Sequence, residues 1–186
     1  MEELISRLAD ATIGETFNFY RDGRGAEKRR RRLAGYLECR REARLLLVGE
    51  AAGYRGARVS GIPFTSERQL TGSGPAEATA TIVRRVLEEL GLEEETLCWN
   101  VVPTHPHLPG RPETNRRPTR REVAEARLFL QELARGRRLI AVGRLAQTVL
   151  DAPYVRHPSH GGAAEFRAGL LRCRSGGQRV RRFSVT

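Results

Sequence analysis

Several features that would assign the sequence to a particular class of protein are missing. No apolar run approaches the roughly 20 residues that a membrane-spanning helix needs. The N-terminal segment MEELISRLAD is acidic and amphipathic, unlike a signal peptide. The three cysteines, Cys39, Cys98 and Cys173, lie far apart and form no CxxC pair. We therefore expect a cytoplasmic protein with reduced thiols, since an odd and unpaired set of cysteines is typical of a reducing compartment.

Lysine is almost absent as well. Of the 33 basic residues only Lys28 is a lysine, and the 22 acidic residues leave a formal net charge of +11. Arginine binds phosphate through two parallel hydrogen bonds and stacks on bases, so the excess favours a nucleic-acid partner over a membrane surface. The arginine bias alone can equally reflect genome base composition, but that does not explain the net charge. The run from Lys28 to Arg32 is interpreted as a solvated helix face with a general attraction for DNA.

The apolar pattern predicts short strands that alternate with helices. Strands are expected over 45–48, 96–102, 139–142 and 153–157. Helices are expected over 3–10, 26–42, 77–90, from the Thr119–Glu122 capping box through Leu133, and over 144–150 and 163–172. This alternation predicts an α/β fold with a central four-stranded parallel sheet covered on both faces. We expect one domain over 1–186, with a helical basic extension at 1–43 and a loose basic tail at 174–186.

Polar side chains follow the predicted strands. In an open parallel sheet, ligands bind beyond the carboxyl ends of the strands. The residues delivered to that edge are Glu50, Asn100, Gly143 and His157. Phe64 is available from the irregular stretch 50–76, which exceeds ordinary loop lengths. An acid, an amide and an imidazole are therefore expected to converge with an aromatic ring at one edge of the sheet.

The chemistry of this set suits cleavage of a bond to a nucleobase in DNA. An asparagine amide offers a donor and an acceptor side by side, and so reads the edge of a pyrimidine. A phenylalanine ring gives a surface on which a base stacks. A carboxylate orients or deprotonates water, and an imidazole donates a hydrogen bond to an oxygen that gains negative charge.

The motifs that carry these residues resemble those of the uracil-DNA glycosylase superfamily. They are GEAAG with a downstream PF, then WNVVP followed by RPETNRRPT, then RHPS, and together they cover roughly residues 44–162. The most similar branch is the bacterial and archaeal one with a GEAPG first motif. The resemblance implies a three-layer α/β/α sandwich and a monomeric, monofunctional glycosylase that acts on uracil in DNA.

The resemblance also implies a role for each residue. Phe64 stacks on the flipped uracil, Asn100 bonds its edge and rejects cytosine, and Glu50 positions the attacking water. His157 stabilises the departing uracil anion. Further substrate contacts are implied for Gly49, Ala51 and Tyr54, and DNA contacts for Ser159, Gly161, Gly162, Arg55 and Arg58. Tyr54 is the residue to which we assign the rejection of thymine.

The sequence departs from its relatives at defined positions. Thr104 stands where the related branch has a cysteine ligand of an iron–sulfur cluster, and the N-terminal CxxC is missing, so we expect no cofactor and no metal. Ala51 stands where the better-known uracil-specific branch has an aspartate. Residues 160–162, His-Gly-Gly, replace a bulky apolar wedge. We therefore expect a preference for single-stranded substrate.

Alternatives remain open at the level of the sequence. Each site residue also has a structural alternative: Glu50 as an acid that caps a helix, Asn100 as a cap of a strand end, His157 as a structural histidine and Phe64 as a core residue. His105 and His107 suggest a metal, although they fit better as lining of a substrate loop. One rival function is a non-catalytic relative that binds DNA or a base, and another is an α/β enzyme acting on a different nucleotide or small molecule. Uracil, hypoxanthine, xanthine and 5-modified uracils are all candidate lesions.

Overall fold

A single parallel sheet organises the chain, of which a computed structural model describes residues 1–175. The strands are β1 Leu45–Ala51, β2 Thr96–Val102, β3 Arg138–Val142 and β4 Tyr154–Val155. Their order in the sheet is β2-β1-β3-β4, and all three pairings are parallel. The predicted α/β fold with a central four-stranded parallel sheet is confirmed.

Helices account for about half of the described residues outside the sheet. Their bounds are α1 Glu2–Asp10, α2 Ala26–Cys39, α3 Ala57–Ser60, α4 Glu67–Thr71, α5 Ala78–Glu89, α6 Arg120–Ala134, α7 Arg144–Val149 and α8 Ala163–Ser175. No helix within residues 1–175 has the length and the apolar character needed to cross a bilayer.

Alternate side chains of β1 enter two separate hydrophobic clusters. Leu46 and Val48 belong to a cluster that includes buried residues of α1, α2, α6 and α7. Leu45 and Leu47 belong to a second cluster with buried residues of α5 and α8. Because successive side chains of a strand point to opposite faces, the sheet is covered on both sides and the fold has three layers.

A buried carboxylate fixes the start of α6. Thr119 Oγ1 accepts a hydrogen bond from the backbone N–H of Glu122, and the Glu122 carboxylate accepts one from the backbone N–H of Thr119, at 3.2 and 2.8 Å. The predicted capping box is thus confirmed. The same carboxylate, only 1% exposed, accepts two hydrogen bonds from the Arg116 guanidinium at 2.8 and 2.5 Å.

The structure revises several predicted boundaries. β1 extends to Ala51 because it remains paired with β2, so Glu50 lies within the strand and not after it. β4 contains only two residues because β3 ends at Val142 and offers no partner to the residues beyond. The helix expected over 26–42 ends at Cys39. The stretch 50–76 is not wholly irregular, since it contains α3 and α4.

The C-terminal helix also runs further than expected. α8 extends to Ser175, and the guanidinium of Arg174 donates a hydrogen bond to the carbonyl of Leu90 at 2.8 Å. Arg174 was predicted to begin the loose basic tail, and that boundary is wrong. The rest of the predicted tail, 176–186, lies outside the described residues.

The arginines of α2 hold the neighbouring chain in place. Arg29 Nε and Arg30 Nη1 donate hydrogen bonds at 2.5 and 2.6 Å to carbonyl groups of the polar segment 12–25. Arg32 donates two hydrogen bonds to the carboxylate that begins α4, at 2.7 and 3.0 Å. The interpretation of Lys28–Arg32 as a solvated face is therefore wrong for these three side chains, because each is partly buried and bonded within the protein.

Candidate active site

A cleft opens beyond the carboxyl ends of the central strands. Its lining residues are Glu50, Ala51, Gly53, Ala57, Phe64, Glu77, Thr79, Asn100 and His157. The cavity is narrow, with a volume of about 60 Å³. The structure thus brings together four side chains that the sequence pattern singled out, namely Glu50, Phe64, Asn100 and His157. It also adds Ala57, Glu77 and Thr79, which the sequence pattern missed.

Gly49 makes room for the aromatic wall of the cleft. Gly49 in β1 pairs with Asn100 in β2. A Cβ atom at Gly49 would overlap the Phe64 ring and would lie 2.8 Å from Asn100 Oδ1. Phe64 itself has a φ of 52°, a left-handed conformation that is uncommon for a non-glycine residue and is often found at functional sites. The close approach of ring, amide and backbone therefore depends on the missing side chain at Gly49.

Asn100 presents an amide that is free to bind a ligand. Its side chain is only 4% exposed and lines the cleft. No hydrogen bond joins this amide to another residue within the part of the chain that the structure describes. Because buried polar groups are normally hydrogen-bonded, the amide is suited to pair with a group that enters the cleft.

His157 is held in one tautomer by its neighbour. The backbone N–H of Ser159 donates a hydrogen bond to Nδ1 of His157 at 3.2 Å, and the Ser159 hydroxyl lies 2.7 Å from the same nitrogen. Nδ1 is therefore an acceptor, and the neutral ring carries its proton on Nε2. Burial, with a smaller contribution from His160, lowers the pKa of His157 and favours this neutral form.

The Ser159 segment has a structural role besides any contact with DNA. Its hydroxyl lies between His157 and Nδ1 of His160, the latter at 3.0 Å. His160 and Gly161 both adopt left-handed backbone conformations, with φ of 51° and 76°. A Cβ atom on Gly162 would overlap the backbone carbonyl oxygen of His157, so this position also needs glycine. The tight turn places the N–H and the hydroxyl of Ser159 next to Nδ1 of His157, and these contacts orient the ring.

Two carboxylates line the cleft. Glu50 is half-buried, and burial raises the pKa of its carboxyl group while the positive charge of Arg117 partly opposes the shift. Glu77 is also half-buried, and burial raises its pKa as well. No sequence pattern pointed to Glu77, because an acid at the start of a helix usually interacts with the helix terminus. The Glu77 side chain makes no capping hydrogen bond to α5.

Tyr54, Arg55 and Arg58 lie beside the cleft and not in it. Tyr54 and Arg55 line an adjoining hollow of about 270 Å³. The backbone N–H of Tyr54 donates to Asn115 Oδ1 at 2.9 Å. The Arg58 guanidinium lies 4.0 Å from the centre of the Tyr54 ring and donates a hydrogen bond to the Tyr54 carbonyl at 3.0 Å. Arg55 is exposed, whereas Arg58 is bound to Tyr54.

His105 is a buried residue that connects two backbone segments next to the cleft. The residue is fully buried, and its Nδ1 and Nε2 lie 2.9 and 3.0 Å from the carbonyl oxygens of Ala52 and Pro112. It therefore joins the residue that follows β1 to the loop that follows β2, and it does not line the cleft. His107, next along the chain, stacks on His105 with ring centres 5.8 Å apart.

The residues present do not fit the iron–sulfur cluster of the related branch. Thr104 is buried, and its hydroxyl lies 2.5 Å from that of Thr16. Cys39 is exposed, Cys98 is buried and Cys173 is partly buried, each as a free thiol. Across residues 1–175, no three side chains of the His, Cys, Asp or Glu type cluster as metal ligands do.

Comparison with known proteins bears on the family and the fold of the chain. The family model of the uracil-DNA glycosylase superfamily matches residues 37–178, which is more than half of the chain. A search of curated proteins found no match. Among solved structures, the chain is similar to wild-type SMUG2 from Pedobacter heparinus, with a TM-score of 0.68 and 13% sequence identity. The alignment covers 94% of this chain and 98% of that one, so the two proteins share a fold.

Proposed function

Because the chain belongs to the uracil-DNA glycosylase superfamily, we propose that it is a monofunctional glycosylase that hydrolyses the N-glycosidic bond of uracil in DNA. The observation that supports this function best is the convergence of Glu50, Phe64, Asn100 and His157 on one narrow cleft. Such a cleft accepts a base only after the nucleotide has rotated out of the helical stack.

The base is recognised by a ring and an amide. The flipped uracil stacks on Phe64, and the unpaired amide of Asn100 pairs with the carbonyl and N–H groups on the uracil edge. Cytosine carries an amino group and a bare ring nitrogen at the corresponding positions. Pairing with cytosine would reverse the donor and acceptor of Asn100, so the orientation of the amide in the complex decides between the two bases.

Hydrolysis then requires two further groups. The C1′–N1 bond breaks with its electron pair passing to uracil, and Nε2–H of His157 donates a hydrogen bond to the oxygen that gains the charge. The carboxylate of Glu50 orients the water whose oxygen bonds to C1′, and the water proton passes to Glu50 or to solvent. No covalent bond between protein and DNA is formed.

The rim of the cleft is suited to bind the DNA backbone. Exposed Arg55 and the backbone N–H group of Gly161 are the groups that we assign to phosphates, since the N–H groups of Ser159 and Gly162 are bonded within the protein. The segment 159–162 contains no bulky apolar side chain that would replace the flipped base in the duplex. We therefore propose that the protein removes uracil faster from single strands than from duplex DNA. We also propose that it acts as a monomer.

The test is strand scission by alkali after incubation with a uracil-containing oligonucleotide. Scission should be lost, by about 10²-fold or more in rate, in Asn100→Ala and His157→Ala. His107→Ala is the matched control, because His107 lies outside the cleft. Equal rates in His107→Ala and His157→Ala would contradict the assignment. Tight, salt-dependent binding without scission would favour a non-catalytic DNA-binding relative, and no DNA binding would favour an enzyme acting on another small molecule.

A further inference from the structure

One side chain separates two neighbouring hollows. Glu77 and Gly53 line both the base cleft, of about 60 Å³, and the adjoining hollow, of about 270 Å³. Gly53 has no side chain, so the Glu77 side chain is the larger part of the boundary they share. Glu77 is therefore the one side chain common to the linings of the narrow cleft and the wide hollow.

Packing against glycines holds Glu77 in this position. A Cβ atom on Gly56 would overlap the Glu77 carboxylate, and one on Gly53 would lie 3.2 Å from Glu77 Oε1. Within residues 1–175, the carboxylate has no hydrogen bond or ion pair, although the side chain is half-buried. A buried charge without a partner costs stability, which argues that the residue is present for a reason other than folding.

The boundary formed by Glu77 bears on the size of the base that the cleft can bind. A purine nucleoside carries its six-membered ring beyond the five-membered ring that is attached to the sugar, so a purine needs a deeper cleft than a pyrimidine. The adjoining hollow, which shares Gly53 and Glu77 with the cleft, is the larger of the two spaces.

We propose that Glu77 is a specificity-determining residue that restricts the cleft to pyrimidine lesions and excludes purine lesions such as hypoxanthine. This inference rests on the proposed glycosylase function, and it selects one substrate class for the same site. Truncation of Glu77 joins the two hollows and admits a purine. A change that keeps the length of the side chain keeps the restriction.

The experiment compares Glu77→Ala with Glu77→Gln. Glutamine retains the size of the side chain and removes its charge, whereas alanine removes the boundary. Glu113→Ala is the matched control, because Glu113 lines the adjoining hollow without reaching the cleft. Thermal denaturation should find all three variants folded, since the Glu77 side chain makes no capping bond and Glu113 is exposed.

Binding is measured with single-stranded oligonucleotides that carry one 2′-fluorinated deoxyuridine or deoxyinosine, whose N-glycosidic bonds resist hydrolysis. Base release is measured in parallel with the unmodified oligonucleotides. We expect the wild type, Glu77→Gln and Glu113→Ala to prefer deoxyuridine by about tenfold or more, and Glu77→Ala to lose most of this preference, a scale typical of discrimination by pocket shape.

Three results would overturn the inference. They are a wild type that does not distinguish the two oligonucleotides, an unchanged preference in Glu77→Ala, and an equal loss of preference in Glu77→Gln. The last result would assign the discrimination to charge instead of size. A wild type that binds deoxyuridine selectively but releases no uracil would refute the proposed function alone, because binding is measured independently of hydrolysis.

Discussion

The backbone N–H of Ser159 donates a hydrogen bond to Nδ1 of His157, and this contact leaves Nε2–H as the only donor of the neutral ring. If Nδ1 were protonated, its N–H would face the N–H of Ser159 as a second donor, and the hydrogen bond between them would be lost. The orientation of the imidazole is therefore coupled to its charge, which gives the proposed reaction a dependence on pH.

The rate of uracil release should fall as the solution becomes acidic. Burial holds the pKa of His157 below its usual value and that of Glu50 above its usual value, so both groups lose their active forms as pH decreases through these pKa values. Single-turnover rates measured between about pH 4 and pH 8 should rise with pH. In Glu50→Gln the rate should be lower by about 10²-fold or more, and the contribution of Glu50 to the acid limb should disappear. A rate that increases toward acid pH would contradict this assignment.

A methyl group at Gly49 should impair the cleft while leaving the fold intact. In Gly49→Ala the new Cβ overlaps the Phe64 ring and approaches Asn100 Oδ1, so we expect uracil release to fall by about tenfold or more, since small misplacements are costly in catalysis. The control is Gly35→Ala, on an open face of α2, where a Cβ meets nothing within 4 Å. This control should keep full activity and gain about 0.5 to 1 kcal/mol in the free energy of unfolding.

The left-handed backbone at Phe64 predicts an unusual order of stabilities. Phe64→Ala and Phe64→Gly both remove the ring, and both should lose uracil release. Glycine adopts a positive φ without steric cost, so Phe64→Gly should be more stable than Phe64→Ala by about 1 kcal/mol. Chemical denaturation of the two variants measures the difference. A more stable alanine variant would mean that position 64 relaxes once the ring is gone.

The buried carboxylate of Glu122 should stabilise the fold in a pH-dependent way. Burial alone would raise its pKa, but the hydrogen bonds from Arg116 and Thr119 outweigh this effect and hold the pKa below its usual value. The stabilisation is therefore fully present above the unfolded-state pKa and is lost as pH falls through the lower folded-state pKa. Glu122→Ala should cost about 3 to 5 kcal/mol at neutral pH, because it leaves Arg116 partly buried without its carboxylate.

The comparison for this prediction is Glu27→Ala. Glu27 is exposed and forms a surface ion pair with Arg31 at 3.8 Å, so its removal should cost less than about 1 kcal/mol. Urea denaturation at neutral and at acid pH measures both variants. If the gap between wild type and Glu122→Ala stayed constant down to acid pH, the carboxylate would not be the source of the stabilisation.

The strands that form the edge of the cleft could be predicted, because their apolar runs are short and end in polar residues. Parallel strands place their carboxyl ends together, so the order of elements alone located Glu50, Asn100 and His157 at one edge. The way in which the long stretch 50–76 folds over that edge could not be predicted from the sequence. Its path depends on contacts between distant residues, such as the fit of the Phe64 ring against Gly49, which leave no periodic pattern.

The same limit explains the residues that were missed or misplaced. Glu77 reaches the cleft because Gly53 and Gly56 lack side chains, a relationship that joins positions more than twenty apart in the chain. Tyr54 follows directly after the first motif, yet its ring turns toward Arg58 and His105. Proximity in sequence to a motif therefore did not predict which side chains face the base.

The hydrogen bonds of the α2 arginines change what the net charge of +11 means for DNA binding. Arg29 and Arg30 are bonded to carbonyl groups of the chain itself, and Arg137 is bonded in the same way to the carbonyls of Ala43 and Leu133. Guanidinium groups engaged in this way release few counterions when a nucleic acid arrives. The logarithm of the DNA affinity should therefore fall only slowly as the logarithm of the salt concentration rises. The slope should reflect the few arginines at the rim of the cleft, and it should be much smaller than the composition suggests.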